Sequence, residues 1–252
     1  MSNNSALLDF VIRLGDNNLI LGHRLSEWCS NGPFLEEDVA TANIALDHVG
    51  AARLLLTYAG EMEGGKSEDD YAYNRGHEEF KNALLVEQPN GDFGDTQARQ
   101  LFYSAFAFIL YTELKNSKNE QLAAYATKAI KETTYHLRHC SEWVIRLGDG
   151  TEESKQRMQK AIDNLWPYTG DLFATTAGDA QLVKDGFIPD VAALKAKWYD
   201  MVKEVVTRAT LTMPDANAWQ QSGSREGKHT EHLSYLVAEM QSVTRAYPNA
   251  KW

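Results

Sequence analysis

The sequence predicts an all-α protein built on long helices, and three observations carry that expectation. Apolar residues recur at spacings of three and four over stretches much longer than the three-turn mean of globular helices. The strongest turn signals, Asn31-Gly32-Pro33 and Gln88-Pro89-Asn90-Gly91, fall between those stretches. No alternation of apolar and polar residues runs far enough to make a useful strand.

The clearest helix is expected over Asn119 to Gly150. Leu122, Tyr125, Ala126, Ala129, Ile130, Thr133, His136, Leu137, Cys140, Trp143, Val144 and Leu147 form a face wide enough to sit inside a bundle. Ser117 or Asn119 can open it and Gly148 can close it. The first helix is expected from Ser5 to Ser30, with Leu7, Leu8, Val11, Leu14, Leu21, Leu25 and Trp28 inward. Gly15, Asp16, Asn17 and Asn18 interrupt it with poor helix formers. We expect a bend or a local side-chain-to-backbone bond there, with an inward-facing polar position as the alternative. A second helix should run from Phe34 to Glu63, with Ala40, Asn43, Ile44, Asp47, Gly50, Ala51, Leu54, Leu55 and Tyr58 inward. Glu36, Glu37 and Asp38 suit its first turn, where the helix dipole favours acids.

After a polar loop over Gly64 to Asp70, one or two short helices are expected within Tyr71 to Glu87. A third long helix should cover Asp95 to Asn116, rich in aromatic residues that read as core. A fifth helix should cover Thr151 to Thr175, kinked at Trp166-Pro167. Gly178 to Pro189 and Met213 to Gly227 read as loops. Asp190 to Thr212 and Thr230 to Ala246 read as helices.

With 252 residues, 43% of them hydrophobic and 24% charged, the chain has the balance of a globular protein and reads as one domain, 1–252. A formal net charge of -10 argues against nucleic acid or an anionic membrane as the main partner. No run of roughly eighteen apolar residues spans a membrane. The N-terminus lacks the basic region of a secretory signal. Cys29 and Cys140 both lie in helical patterns, so no disulfide framework is expected, and the cytoplasm fits.

Two pairs of long helices around one long crossover describe a ferritin-like bundle, whose di-iron members need one Glu from each of two helices and Glu-x-x-His from each of the other two. The second helix offers Asp47 followed three residues later by Gly50; one position along stand His48 and Ala51. The fourth offers Glu132 followed by Tyr135, and His136 lies one residue too far, about 100° round the helix. The ligand pattern is broken in both places. Asp47, Glu132, Tyr135 and His136 are therefore expected to form a metal-free hydrogen-bond network where a metal centre would stand. The alternative is an autonomous metalloenzyme with an irregular site at Glu132 and His136, joined by His139 or Asp47. Glu226-Gly227-Lys228-His229 straddles a loop and presents no helical face. His229-Thr230-Glu231-His232 is better read as an N-cap at Thr230 than as a metal tag. No residue is assigned a catalytic role or a place in substrate binding.

Longer matches carry a resemblance. Arg13-Leu14-Gly15-Asp16-Asn17, Ala42-Asn43-Ile44-Ala45-Leu46-Asp47, the run from Leu84 to Gly91, Ala129 to Glu132 with Tyr135 to Arg138, His229 to Leu233, and Ala238 to Gln241 are its anchors. In these the chain resembles the C-type subunits of bacterial ring-1,2-phenylacetyl-CoA epoxidases, multicomponent oxygenases of phenylacetate breakdown. The resemblance spans essentially the whole chain. It implies a ferritin-like fold and a non-catalytic subunit that stabilises a catalytic A subunit. By the same resemblance, the A subunit holds the di-iron centre and binds the acyl-CoA, while a reductase supplies electrons from NADPH. This chain would then carry no cofactor of its own. Its partners would be the A subunit, the reductase through the complex, and further copies of itself.

Overall fold

The computed structural model describes residues 3–248 and 250. Among the described residues are ten α-helices and no strand: α1 (Asn3–Ser26), α2 (Leu35–Glu63), α3 (Glu68–Tyr73), α4 (Phe93–Leu114), α5 (Glu120–Gly148), α6 (Glu152–Leu165), α7 (Asp179–Asp185), α8 (Lys195–Arg208), α9 (Glu231–Met240) and α10 (Ser242–Ala246). They gather into two compact units. One takes the described residues of Met1–Pro89 and Gly223–Trp252; the other is Asn90–Ser222.

In the first unit α1 packs along α2. Two glycines set the approach: a Cβ on Gly15 would stand 2.6 Å from Leu56 Cδ2, and one on Gly22 would stand 2.9 Å from Val49 Cγ2. The poor helix formers of α1 do not break it. Asp16, Asn17 and Asn18 are buried and point at other segments, so the inward-facing reading is the correct one. Arg75 grips both Asp16 oxygens, at 2.5 and 3.0 Å, and the Lys81 amide donates to Oδ2 at 2.9 Å. Asn17 Oδ1 accepts from the Ala83 amide at 2.7 Å. Asn18 donates to Leu14 O at 2.8 Å, the local bond also expected, and meets His48 Nδ1 at 2.8 Å. A mid-helix cluster of short polar side chains thus becomes the fastening for the irregular segment that follows α3.

In the second unit α4 packs against α5, α6 and α8. It is buried along nearly its whole length, as its aromatic stripe suggested. Trp198 of α8 donates its ring N–H to Phe102 O at 2.9 Å and stacks on Trp166 with ring centres 5.6 Å apart. Phe102 and Phe173 close around the same indole, at 5.9 and 5.3 Å. Tilted and edge-on contacts of this kind add to the area they bury.

Several expected boundaries move. The first helix stops at Ser26, so Trp28 and Cys29 lie in the turn, where Ser30 has φ 68. A side-chain oxygen of Ser67 caps α3 early, which places Glu68 to Asp70 in helix and not in a loop. Pro167 ends α6 instead of kinking it, and the chain continues as two 3₁₀ turns through Phe173. A short helix, α7, occupies part of the expected loop and ends at Gly186 with φ 78. The last helix is broken at Gln241, whose amide donates to Ala72 O and Arg75 O at 3.0 and 2.9 Å.

Candidate functional site

The expected inward face of α2 is half wrong. Ile44, Ala51 and Leu55 are buried, together with Thr41, Ala45, His48, Ala52, Leu56 and Ala59. Asn43, Gly50 and Leu54 are exposed, and Asp47 is half-buried at the border between the two faces. The pattern misled because α2 carries large apolar residues on both of its faces, so periodicity alone could not choose the inward side.

On α5 the expected face holds. Asn119 opens the helix by accepting from the Leu122 amide at 2.9 Å. Leu122, Ala126, Ala129, Thr133, His136, Cys140 and Val144 are buried. Cys140 donates to Leu137 O at 3.3 Å, and its burial pushes the thiol up to about 12, far from nucleophilic use at neutral pH.

The four residues expected to form a network fall in both units: Asp47 in the first, Glu132, Tyr135 and His136 in the second. Within the second unit they diverge. His136 is buried, Tyr135 is 41% exposed, and Glu132 is half-buried with Lys128 Nζ 3.6 Å away. The Tyr135 ring lies 6.3 Å from that of His136 and 6.0 Å from that of His139, which are contacts between neighbours on one helix. Among the described residues no group of three or more His, Cys, Asp or Glu side chains is gathered so that it could hold a metal ion. At Asp47 and at Glu132 the residue three positions on is Gly50 and Tyr135, so neither supplies the Glu-x-x-His pair of a ferritin-like di-iron centre. Trp143, expected on the side of Glu132, meets Phe93 edge-on at 5.1 Å, and Arg146 lies over its ring at 4.8 Å.

The densest buried polar constellation lies elsewhere, in the first unit. Glu87 and His229 have side chains that are 0% and 1% exposed, and Glu87 Oε2 lies 2.7 Å from His229 Nδ1. His229 Nε2 lies 2.9 Å from Phe80 O, and a carbonyl only accepts, so Nε2 carries a proton. A further proton lies between Nδ1 and Glu87, and wherever it rests the pair has no net charge. Glu87 Oε1 accepts from the amide and the hydroxyl of Thr230 at 2.6 and 2.8 Å, and Oε2 accepts from Asn82 at 2.8 Å. Arg24 binds the Glu87 carbonyl through Nε and Nη2 and reaches His232 O at 3.1 Å.

Thr230 stands at the N-cap position of α9, as expected, but its hydroxyl does not cap the helix; it serves Glu87. Sequence reasoning missed this pairing. A signal was present: Glu87 closes the apolar run Leu84-Leu85-Val86, and a carboxylate buried there requires partners. The constellation fastens three chain segments, which is structural work.

The fold defines an all-helical protein of the ferritin-like class. The chain belongs to the family of phenylacetic acid catabolic proteins, whose family model matches residues 1–252. It is 46% identical over 246 residues to the C-type subunit of the 1,2-phenylacetyl-CoA epoxidase of Escherichia coli (strain K12), a match covering 98% of this chain and 99% of that one. No helix among the described residues is long and apolar enough to cross a membrane.

Proposed function

We propose that the chain is the non-catalytic structural subunit of a phenylacetyl-CoA epoxidase, the enzyme that converts the thioester to its ring 1,2-epoxide. In this reading it binds no metal, and it stabilises a catalytic subunit that carries the di-iron centre and the substrate. The observation that carries the proposal is the end-to-end similarity to a C-type epoxidase subunit. The residues agree with it: the positions where a ferritin-like di-iron site needs carboxylate and imidazole offer Asp47, Glu132, Tyr135 and His136, with Tyr135 half outside and Glu132 beside a lysine. Burial holds Cys140 far from its thiolate form, which argues against a covalent role for that residue.

The test is metal analysis and turnover of the purified chain, alone and after co-expression with the ligand-complete A subunit. Alone, the chain should hold no stoichiometric iron and form no epoxide. Together, the two should co-purify, with iron accounted for by the A subunit. Iron retained by the chain alone, and lost in Glu132→Ala and His136→Ala, would establish the autonomous metalloenzyme instead.

A further inference from the structure

We infer that the outward face of α2 is the docking surface for a sister helical subunit, one that presents an apolar helix stripe bordered by Lys or Arg. This rests on reading the chain as a subunit of a multi-subunit enzyme. Leu35, Val39, Leu46 and Leu54 are 75, 53, 67 and 50% exposed, all on this one helix. Positions 35, 39, 46, 50 and 54 follow the spacing of one helix face, opposite the buried face that meets α1. Large aliphatic side chains exposed singly are ordinary; aligned along one helix they mark an interaction surface. Gly50 stands within the stripe, and a Cβ built there meets nothing within 4 Å, so the backbone is open to a close approach at that point.

The charges select the occupant. Glu36, Glu37, Asp38, Asp47, Glu61 and Glu63 of α2 stand against one cationic residue, Arg53, whose Nε is already 3.3 Å from Glu68. Glu36, Asp47 and Glu61 recur along one edge of the stripe by the helix repeat. A second copy of the chain is a poor occupant. A two-fold interface is self-complementary, so pairing α2 with α2 in either direction brings acids onto acids at both ends. An anionic membrane meets the same acidic edge. A helix with an apolar stripe and basic borders satisfies both the aliphatic side chains and the carboxylates.

The experiment uses the full chain and the A subunit of the same epoxidase, with affinity measured in solution. Leu46→Glu and Leu54→Glu should weaken binding roughly thirtyfold or more each, since a charge enters a buried apolar contact. Their helix content and melting should match the parent, because both side chains face solvent in the isolated chain. Glu36→Lys and Glu61→Lys should weaken binding a few-fold and flatten its salt dependence. Tyr235→Glu, an equally exposed site on α9, should leave affinity unchanged. Parental affinity in both Leu variants overturns the proposal. So does a homodimer of the parent chain that Leu46→Glu dissolves. If the parent chain shows no affinity for the A subunit, it is the functional reading that fails; binding of parent and variants alike removes the surface alone.

Discussion

The two units hold a pair of long helices by different means. In the second, α4 is locked by apolar and aromatic volume: Phe102, Trp166, Phe173 and Trp198 surround one another. In the first, α1 carries buried polar residues that reach distant segments: Asp16 to Arg75, Asn17 to Ala83, Arg24 to Glu87. The contrast follows from what each helix meets. Helix α4 meets mainly other helices, whose backbone groups are already paired, and uses polar side chains on irregular chain only at its start, where Thr96 and Arg99 bind Asn90 at 2.9 and 2.6 Å. Helix α1 meets an irregular stretch, 74–89, whose amides and carbonyls need partners that only polar side chains supply. Burying irregular backbone therefore requires polar residues in the core, and such residues specify one arrangement while penalising any error.

The contrast can be broken first at Glu87. Glu87→Ala leaves His229, Thr230 and Asn82 facing an empty acceptor and should cost about 3–5 kcal/mol in denaturant unfolding. Trp198→Ala should cost a similar ~3–5 kcal/mol through cavity formation in the second unit. The two are told apart by Glu87→Gln and Trp198→Phe: the volume-conserving change should rescue little in the polar unit and much in the aromatic one. Next comes Gly15→Ala, whose methyl would overlap Leu56 and should cost about 1–3 kcal/mol in thermal melting. Smaller is Glu132→Ala. Its partner Lys128 is well exposed, so the loss should stay within about 1 kcal/mol; a larger drop would point to partners that the Lys128 pair does not explain.

The smallest effect is one of pH. Burial lowers the His23 pKa from 6.5, so the fold favours the neutral ring. Its contribution is present above the unfolded value and is lost as pH falls from about 6.5 through the folded value. Melting followed from pH 7.5 downward should show that slope in the parent and a shallower one in His23→Gln.

Much of this was legible in the residues. The faces of α4 and α5 could be read because their apolar positions are asymmetric or overwhelmingly aromatic. The broken ligand pattern could be read because it concerns fixed spacings on helices that do form. The inward side of α2 could not, because Leu46 and Leu54 are as apolar as Ile44 and Leu55, and exposure depends on what the helix packs against. The Glu87–His229 pair could not be read either. Its members stand 142 residues apart, and nothing local to either residue names the other. The expected network of Asp47, Glu132, Tyr135 and His136 assumed that polar residues on apolar helices all turn inward, and the exposure of Tyr135 shows where that assumption fails.

The first unit draws on both sides of the second in chain order, and this has a consequence for synthesis. A ribosome releases Phe80 and Glu87 long before His229, with a delay on the order of 10 s at ordinary elongation rates. The whole of the second unit is synthesised inside that interval. Throughout it, a buried carboxylate in waiting, a set of unmatched amides and the aliphatic outer face of α2 remain open to chaperones or to a nascent partner.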